Sequence, residues 1–286
     1  VEVTGGKSRA VLILGMHRSG TSAFARGMQA LGVYLGANFL EARPDNPTGY
    51  WEDKEICQLN ERVLETLGLK WTDNSSIQPD WNMPAMARLR YSAAQYLQEN
   101  FMTHPLWGFK DPRTIRLLPF WQTVMHSLVT DECYLLAIRN PLSVAASLFQ
   151  RQSMDAVTAH KLWLAYVVPH LGRLADRRFV VSDYDLMLER PEAEFQRIAS
   201  ELDIQLDDSN QAELHVYARD FLDSKLRHNV FGEMDFDPDQ NPLSREAYLW
   251  LRQLATGEIA NNSARFWSAW GRIQRSVEDL LRQPAM

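Results

Sequence analysis

The chain has little cysteine, no long apolar run and no basic excess, and each shortage removes a class of function. Two cysteines in 286 residues, Cys57 and Cys133, cannot make a disulfide framework, and their separation matches no metal-binding spacing. Cys133 lies in the apolar run Cys133-Tyr134-Leu135-Leu136-Ala137-Ile138 and reads as a small buried hydrophobe. No stretch reaches the roughly 20 uninterrupted apolar residues of a membrane span. Val1 to Arg9 lack the apolar core of a secretory signal, so a reducing, cytoplasmic location is the expectation. A formal net charge of −6 argues against a general nucleic-acid binder, which usually carries a basic surplus. Internal repeats and low-complexity tracts are also missing.

What is present is ordinary globular composition, 45% apolar and 23% charged, patterned as alternating strands and helices. Ala10-Val11-Leu12-Ile13-Leu14 has the continuous apolar character of a strand buried on both faces. Ala23, Phe24, Gly27, Met28 and Leu31 then recur at helical spacing up to Gly32. Helices are predicted around Glu55–Leu67, Ala85–Asn100, Thr114–Ser127 and Val157–Ala175, the last with Pro169 as a possible kink. Further strands are predicted at Leu106–Phe109, Cys133–Ile138 and Phe179–Val181. Asn140-Pro141 is a cap followed by proline at the first helical position. The pattern implies an α/β fold, a P-loop-like parallel sheet flanked by helices, in a single domain over 1–286. Its core runs from about 10 to 190, and a helical C-terminal portion covers about 191–286. Phe231–Pro242 is the expected irregular part.

Between the first strand and helix stands Gly15-Met16-His17-Arg18-Ser19-Gly20-Thr21-Ser22. Amides at a helix N-terminus point at an anion, the hydroxyls of Ser19, Thr21 and Ser22 can add hydrogen bonds, and Arg18 supplies a permanent charge. Gly15 and Gly20 have the spacing of a nucleoside-triphosphate loop, but Thr21 occupies the place of its lysine. A small-molecule kinase is thereby disfavoured.

With the basic residue ahead of the glycine, Arg18-Ser19-Gly20-Thr21-Ser22 resembles the 5′-phosphosulfate loop of sulfotransferases that use 3′-phosphoadenosine-5′-phosphosulfate (PAPS). A second likeness is Arg139 at a strand end with Ser147 eight residues on, the pair that holds the 3′-phosphate in that family. Ser143, Ser147 and Arg151 follow one another at four-residue steps and share a helix face. Lys110-Asp111-Pro112, Arg151 and Tyr184 are similar to features of the tyrosylprotein branch, where the lysine approaches the transferred group and a tyrosine lies near the nucleotide. The overall likeness is to a bacterial group associated with carbohydrate modification, with the Asp45-Asn46-Pro47-Thr48-Gly49-Tyr50-Trp51-Glu52 segment among the shared motifs and a weaker echo at Leu226-Arg227-His228. It spans residues 10 to 190. No counterpart of the C-terminal glycine-rich nucleotide motif of cytosolic small-molecule sulfotransferases is present.

The resemblance implies sulfuryl transfer from PAPS to a hydroxyl acceptor, a carbohydrate being favoured, without a metal. Arg18, Lys110 and Glu52 are the expected catalytic groups, with Glu52 as base and Glu41, Asp45 and His17 as the alternatives. Arg18, Ser19, Gly20, Thr21, Ser22, Arg139, Ser147 and Tyr184 are the expected nucleotide contacts. Trp51, Trp71 and Trp81 are candidates for stacking on an acceptor ring. A catalytically silent nucleotide-binding protein of the same fold is the remaining alternative.

Overall fold

A computed structural model describes residues 8–43, 46, 48–74, 79–222, 231–232, 235–236 and 241–283. The Leu226-Arg227-His228 motif, Asp45 and half of the Phe231–Pro242 stretch lie outside them. In chain order the elements are β1 (Arg9–Leu14), α1 (Thr21–Ala30), α2 (Lys54–Thr66), α3 (Pro84–Asn100) and β2 (Leu106–Lys110). A 3₁₀ turn at Pro112–Leu117 leads into α4 (Leu118–Ser127), β3 (Asp131–Ile138), α5 (Pro141–Gln152), α6 (Ala156–Leu171) and β4 (Arg178–Asp183). The C-terminal helices are α7 (Tyr184–Glu189), α8 (Pro191–Glu201), α9 (Asp208–Val216), α10 (Pro242–Ala255) and α11 (Ala264–Arg282).

The four strands form one parallel sheet in the order β2-β1-β3-β4. Parallel strands are covered on both faces, so their side chains alternate between two apolar layers. Val11, Ile13, Leu135, Ala137 and Val180 face Phe24 and Met28 of α1 and Phe195 and Ile198 of α8. Leu12, Leu14, Tyr134, Leu136 and Val181 face the other layer, with Trp121 of α4, Val144 and Leu148 of α5 and Trp163 of α6. Val11 to Leu14 are wholly buried. Such side chains contribute about 1.5–3 kcal/mol each, which makes β1 the energetic centre of the sheet.

Register brings the working ends of the strands together. Ile13 pairs with Lys110, Leu14 with Leu136, and Ile138 with Asp183. From β1 the chain crosses to β2 on one side, while β3 is followed by β4 on the other. The crevice at the carboxyl ends of β1 and β3 is therefore the topological switch point, where open α/β sheets receive ligands. Gly15 and Arg139 are the next residues there.

Candidate functional site

The switch point opens into a cavity of about 790 Å³. Its walls carry Arg18, Arg43, Lys54, Lys110, Arg113, Arg139 and Arg151 against Glu41, Glu52 and Glu61, a basic lining in an acidic chain. Clefts lined by one sign of charge concentrate ligands of the other, so the ligand indicated is an anion.

The floor is the loop between β1 and α1. Arg18 (φ 70°) and Gly20 (φ 79°) both adopt left-handed backbone, and Ser19 N–H closes the turn on the Met16 carbonyl at 3.2 Å. Gly20 is required for a further reason. A Cβ there would lie 2.0 Å from the Tyr184 ring. At the start of α1 no side chain caps the helix and no acidic residue occupies the first turn, so an incoming anion meets no internal competitor. Gly20, Thr21 and Ser22 line the cavity, whereas Ser19 is buried beneath the loop.

From β3 and α5 come Arg139 and Ser147. Asn140 caps α5 by accepting from Leu142 N–H at 2.9 Å, with Pro141 behind it, as their order in the sequence predicts. Arg139 donates to the Arg18 carbonyl at 3.2 Å, and its guanidinium lies 4.8 Å from the Tyr184 ring centroid. Arg18 Nε donates to Ser147 Oγ at 2.8 Å, so the loop arginine turns toward α5 and joins the two sequence signatures, 129 residues apart, into one surface. Ser143 is fully buried, while Arg151 stands at the mouth of the cavity.

Opposite them sits an ion pair. Lys110, last residue of β2, donates to Glu52 Oε1 at 2.6 Å and to Ser22 Oγ at 3.2 Å. Its side chain is 1% exposed and that of Glu52 is 10% exposed. Glu52 points inward because of its neighbours. Trp51 takes left-handed backbone (φ 56°), a costly conformation for a bulky residue and one that clusters at functional sites. Asp53 caps α2 through Glu55 N–H and Ile56 N–H, and Tyr96 of α3 donates to its carboxylate at 2.9 Å. Ser22 Oγ in turn donates to the Tyr50 carbonyl at 3.1 Å, tying α1 to the segment that carries Glu52.

The other candidates fall unequally. His17 lines the cavity and packs on Trp71 at 4.5 Å between ring centroids. Burial, with Arg113, Lys110 and Arg151 nearby, pushes its imidazole down to about 3, so it stays neutral. Glu41 is exposed at the rim. Of the three tryptophans only Trp71 lines the cavity. Trp51 packs instead on Phe39 and Phe221, and Trp81 lies partly buried against the larger apolar layer.

Glu52, Cys57 and Asp111 bring potential metal-ligand atoms within 4.8 Å of one another. The donor set does not fit a dication. Lys110 already holds Glu52, and the Arg113 side chain takes Asp111 through three hydrogen bonds at 2.7–3.0 Å while also reaching Glu61 at 2.6 Å. Burial raises the Asp111 carboxyl, but Arg113 outweighs it and keeps the group below the usual carboxylate range. Burial also pushes the Cys57 thiol far up, leaving it the protonated donor to Glu52 Oε2 at 3.5 Å rather than a thiolate ligand.

No protein-family model and no curated protein matches the chain. Among solved structures it is similar to the sulfotransferase domain from the Synechococcus PCC 7002 olefin synthase, at 19% identity and a TM-score of 0.44, over 96% of this chain and 97% of that one. It is similar to a sulfotransferase from Mycobacterium tuberculosis H37Rv at 13% identity and a TM-score of 0.45, over 78% and 76%. A third is a retinol dehydratase in complex with androsterone and inactive cofactor PAP, at 13% identity and a TM-score of 0.35, over 96% and 81%.

Sequence reasoning did not anticipate three features of the site: the Arg18–Ser147 contact, the direct Lys110–Glu52 pair, and the support given to Asp183 beside Tyr184 by Tyr248 of α10. The first two join residues 129 and 58 positions apart, and no local pattern encodes such pairings.

Proposed function

We propose that this chain is a sulfotransferase. Its donor would be PAPS and its acceptor a hydroxyl of a carbohydrate or glycoconjugate. The observation that carries the reading is the single surface made by the lysine-free loop at α1 and the Arg139/Ser147 pair, with the Lys110–Glu52 pair facing it across one cavity. A nucleotide with anionic groups at both ends of its ribose matches a basic cavity with two such poles. The open amides of α1, with Thr21 and Ser22, would hold the 5′ end, and Arg139, Ser147 and Arg18 the 3′-phosphate.

Bound PAPS supplies an activated sulfuryl group on a phosphate leaving group. Lys110 is shared between the loop hydroxyl of Ser22 and the carboxylate of Glu52, so one ammonium serves both the leaving side and the base. Charge that develops on the leaving oxygen is offset by Lys110 and the helix N-terminus, groups fixed before reaction. A hydroxyl is a poor nucleophile until its proton is taken, and Glu52 lies at the cavity wall as the acceptor for that proton. Neutral His17, packed on Trp71, serves better as wall than as base.

The carbohydrate assignment is supported by Trp71, a half-buried aromatic face among the polar groups Gln58, Glu61 and Lys54. Its backbone is fixed by Tyr166, whose hydroxyl donates to the Trp71 carbonyl at 2.8 Å. Incubation with labelled PAPS and a panel of glycans, lipids and phenols tests the reading. The expected result is label on a glycan, with Trp71→Ala raising the acceptor KM several-fold while PAPS affinity stays native. Exclusive labelling of phenols or lipids would overturn the carbohydrate assignment, and no transfer to any acceptor would count against the enzyme.

A further inference from the structure

Two aspartates at helix N-termini flank the cavity, and each is the chain neighbour of a residue that reaches it. Asp53 follows Glu52 and caps α2, while Asp183 precedes Tyr184 and caps α7. Each also receives a phenol from an outer helix, Tyr96 of α3 in the first case and Tyr248 of α10 in the second. The second is the more deeply buried, Asp183 being 1% and Tyr248 3% exposed.

The geometry around Asp183 leads directly to the nucleotide pole. Asp183 Oδ1 accepts from Asp185 N–H at 2.8 Å and Leu186 N–H at 3.3 Å, which fixes the first turn of α7. Its Oδ2 accepts from Tyr248 Oη at 2.9 Å. Tyr184 is the first residue of that turn. Its ring fills the space beside Gly20 and lies beneath the Arg139 guanidinium. A shift of the turn therefore moves the side chain against which both the phosphate loop and Arg139 are set.

We propose that Tyr248, which lies outside the cavity, is a positioning residue for nucleotide binding: its hydroxyl holds the Asp183 carboxylate as the cap of α7 and so holds Tyr184 against Gly20 and Arg139. The proposal rests on the nucleotide reading above. It gives the C-terminal helical layer a role at the site although α10 contributes no cavity-lining residue.

The chemistry makes the arrangement sensitive to pH. An ionised carboxylate accepts from three donors, whereas a protonated one loses acceptor strength toward the cap. Burial, reinforced by the charge of Asp185, pushes the Asp183 carboxyl up to about 6, while the Tyr248 hydroxyl and the two amides pull it down. Asp185 on α7 and Tyr248 on α10 act on it directly, and Arg252 of α10 acts on the Tyr248 hydroxyl. One turn before Tyr248, Ser244 is bonded to His160 of α6, whose ring burial keeps neutral with its pKa at about 4. Glu194 and Arg197 of α8 engage Ser182 and Val181 and so do not bond to Asp183 itself. The capping form is the ionised one. Nucleotide affinity is accordingly present above the folded-state midpoint of Asp183 and falls as pH drops through it. Loss of the Tyr248 hydroxyl removes a group that favours the ionised form and moves that midpoint upward.

The test is calorimetric titration of the full chain with 3′-phosphoadenosine-5′-phosphate (PAP) between pH 5 and 8. Tyr248→Phe is expected to weaken PAP binding about 5–10-fold at pH 7, less than the full worth of a hydrogen bond to a charged group because Tyr248 acts only through α7, and to shift the acid midpoint toward neutrality. Tyr96→Phe, which loses the equivalent hydroxyl at the other pole, should leave the PAP midpoint in place. Asp183→Asn should weaken binding and abolish the titration, and it serves as a second variant should Tyr248→Phe fold poorly. Native PAP affinity and an unshifted midpoint in Tyr248→Phe would overturn the proposal alone. A native protein that binds no PAP at any pH would overturn the nucleotide reading and the proposal with it.

Discussion

Replacing Glu52 with glutamine separates the two duties of the Lys110–Glu52 pair. Both side chains are nearly inaccessible and meet at 2.6 Å, so the substitution leaves a buried ammonium without its counter-charge. Breaking a buried ion pair by removing one partner costs about 3–5 kcal/mol. Glutamine keeps a carbonyl oxygen for Lys110 to donate to, which places the expected cost at the low end, about 3 kcal/mol. For a chain of this size that corresponds to a fall in Tm of roughly 6–12 °C. Turnover should fall by about 10²–10⁴, because the amide cannot take the acceptor proton. Thermal unfolding and single-turnover transfer on the same preparations measure both. Lys110→Met and the double variant complete a cycle in which removing both charges costs less than the two single changes together. Glu41→Gln, at the exposed rim, should leave Tm and turnover unchanged. A Glu52→Gln protein with native Tm and near-native turnover would refute the pair as both a structural and a catalytic unit.

Gly20→Ala should weaken nucleotide binding and lower stability by about 1–3 kcal/mol, because the new methyl meets the Tyr184 ring on left-handed backbone; titration with PAP and thermal unfolding check this. Chelators should leave transfer unaffected, since Lys110 and Arg113 already neutralise Glu52 and Asp111; activity lost to chelator and restored by one metal would contradict the site as described. His17 is held neutral to about pH 3, whereas in the unfolded chain it takes up a proton below about 6.5. The unfolded state therefore binds more protons over that window, and stability attributable to His17 is lost as pH falls through it. His17→Gln should flatten that part of the curve relative to the native protein in pH-dependent denaturation.

Much of the fold is legible because local signals and tertiary demands agree. The run Ala10–Leu14 lies within β1, Asn140-Pro141 opens α5, and Val144 and Leu148 face the sheet. Pro169 stays inside α6, the helix ending at Leu171 and tightening into a 3₁₀ turn at Gly172–Leu174. Thr114–Ser127 proves to be two pieces, a 3₁₀ turn to Leu117 and α4 from Leu118, because Asp111 caps the turn through Arg113 N–H and proline occupies the start of each piece. The loop, Arg139, Ser147, Lys110 and Glu52 are legible as motifs, and all lie at or beneath one cavity. Their mutual arrangement is not legible. Which carboxylate Lys110 meets depends on Trp51 turning its backbone to send Glu52 inward, and the direction taken by Arg18 depends on α5 bringing Ser147 within reach of its guanidinium. Long-range pairing of this kind is a property of the folded sheet and not of any sequence window.

The central claim is that the switch-point cavity selects a nucleotide carrying a 3′-phosphate. Isothermal titration with PAP, 5′-ADP and Mg·ATP tests it directly. Charge-assisted hydrogen bonds to a phosphate contribute about 1.5–3 kcal/mol each, so Arg139 and Ser147 together should make PAP bind at least ~10–100-fold more tightly than ADP. Arg139→Ala should remove most of that margin. PAP bound far above ADP, with the difference lost in Arg139→Ala, is the result predicted; ADP or Mg·ATP bound as tightly as PAP would contradict it.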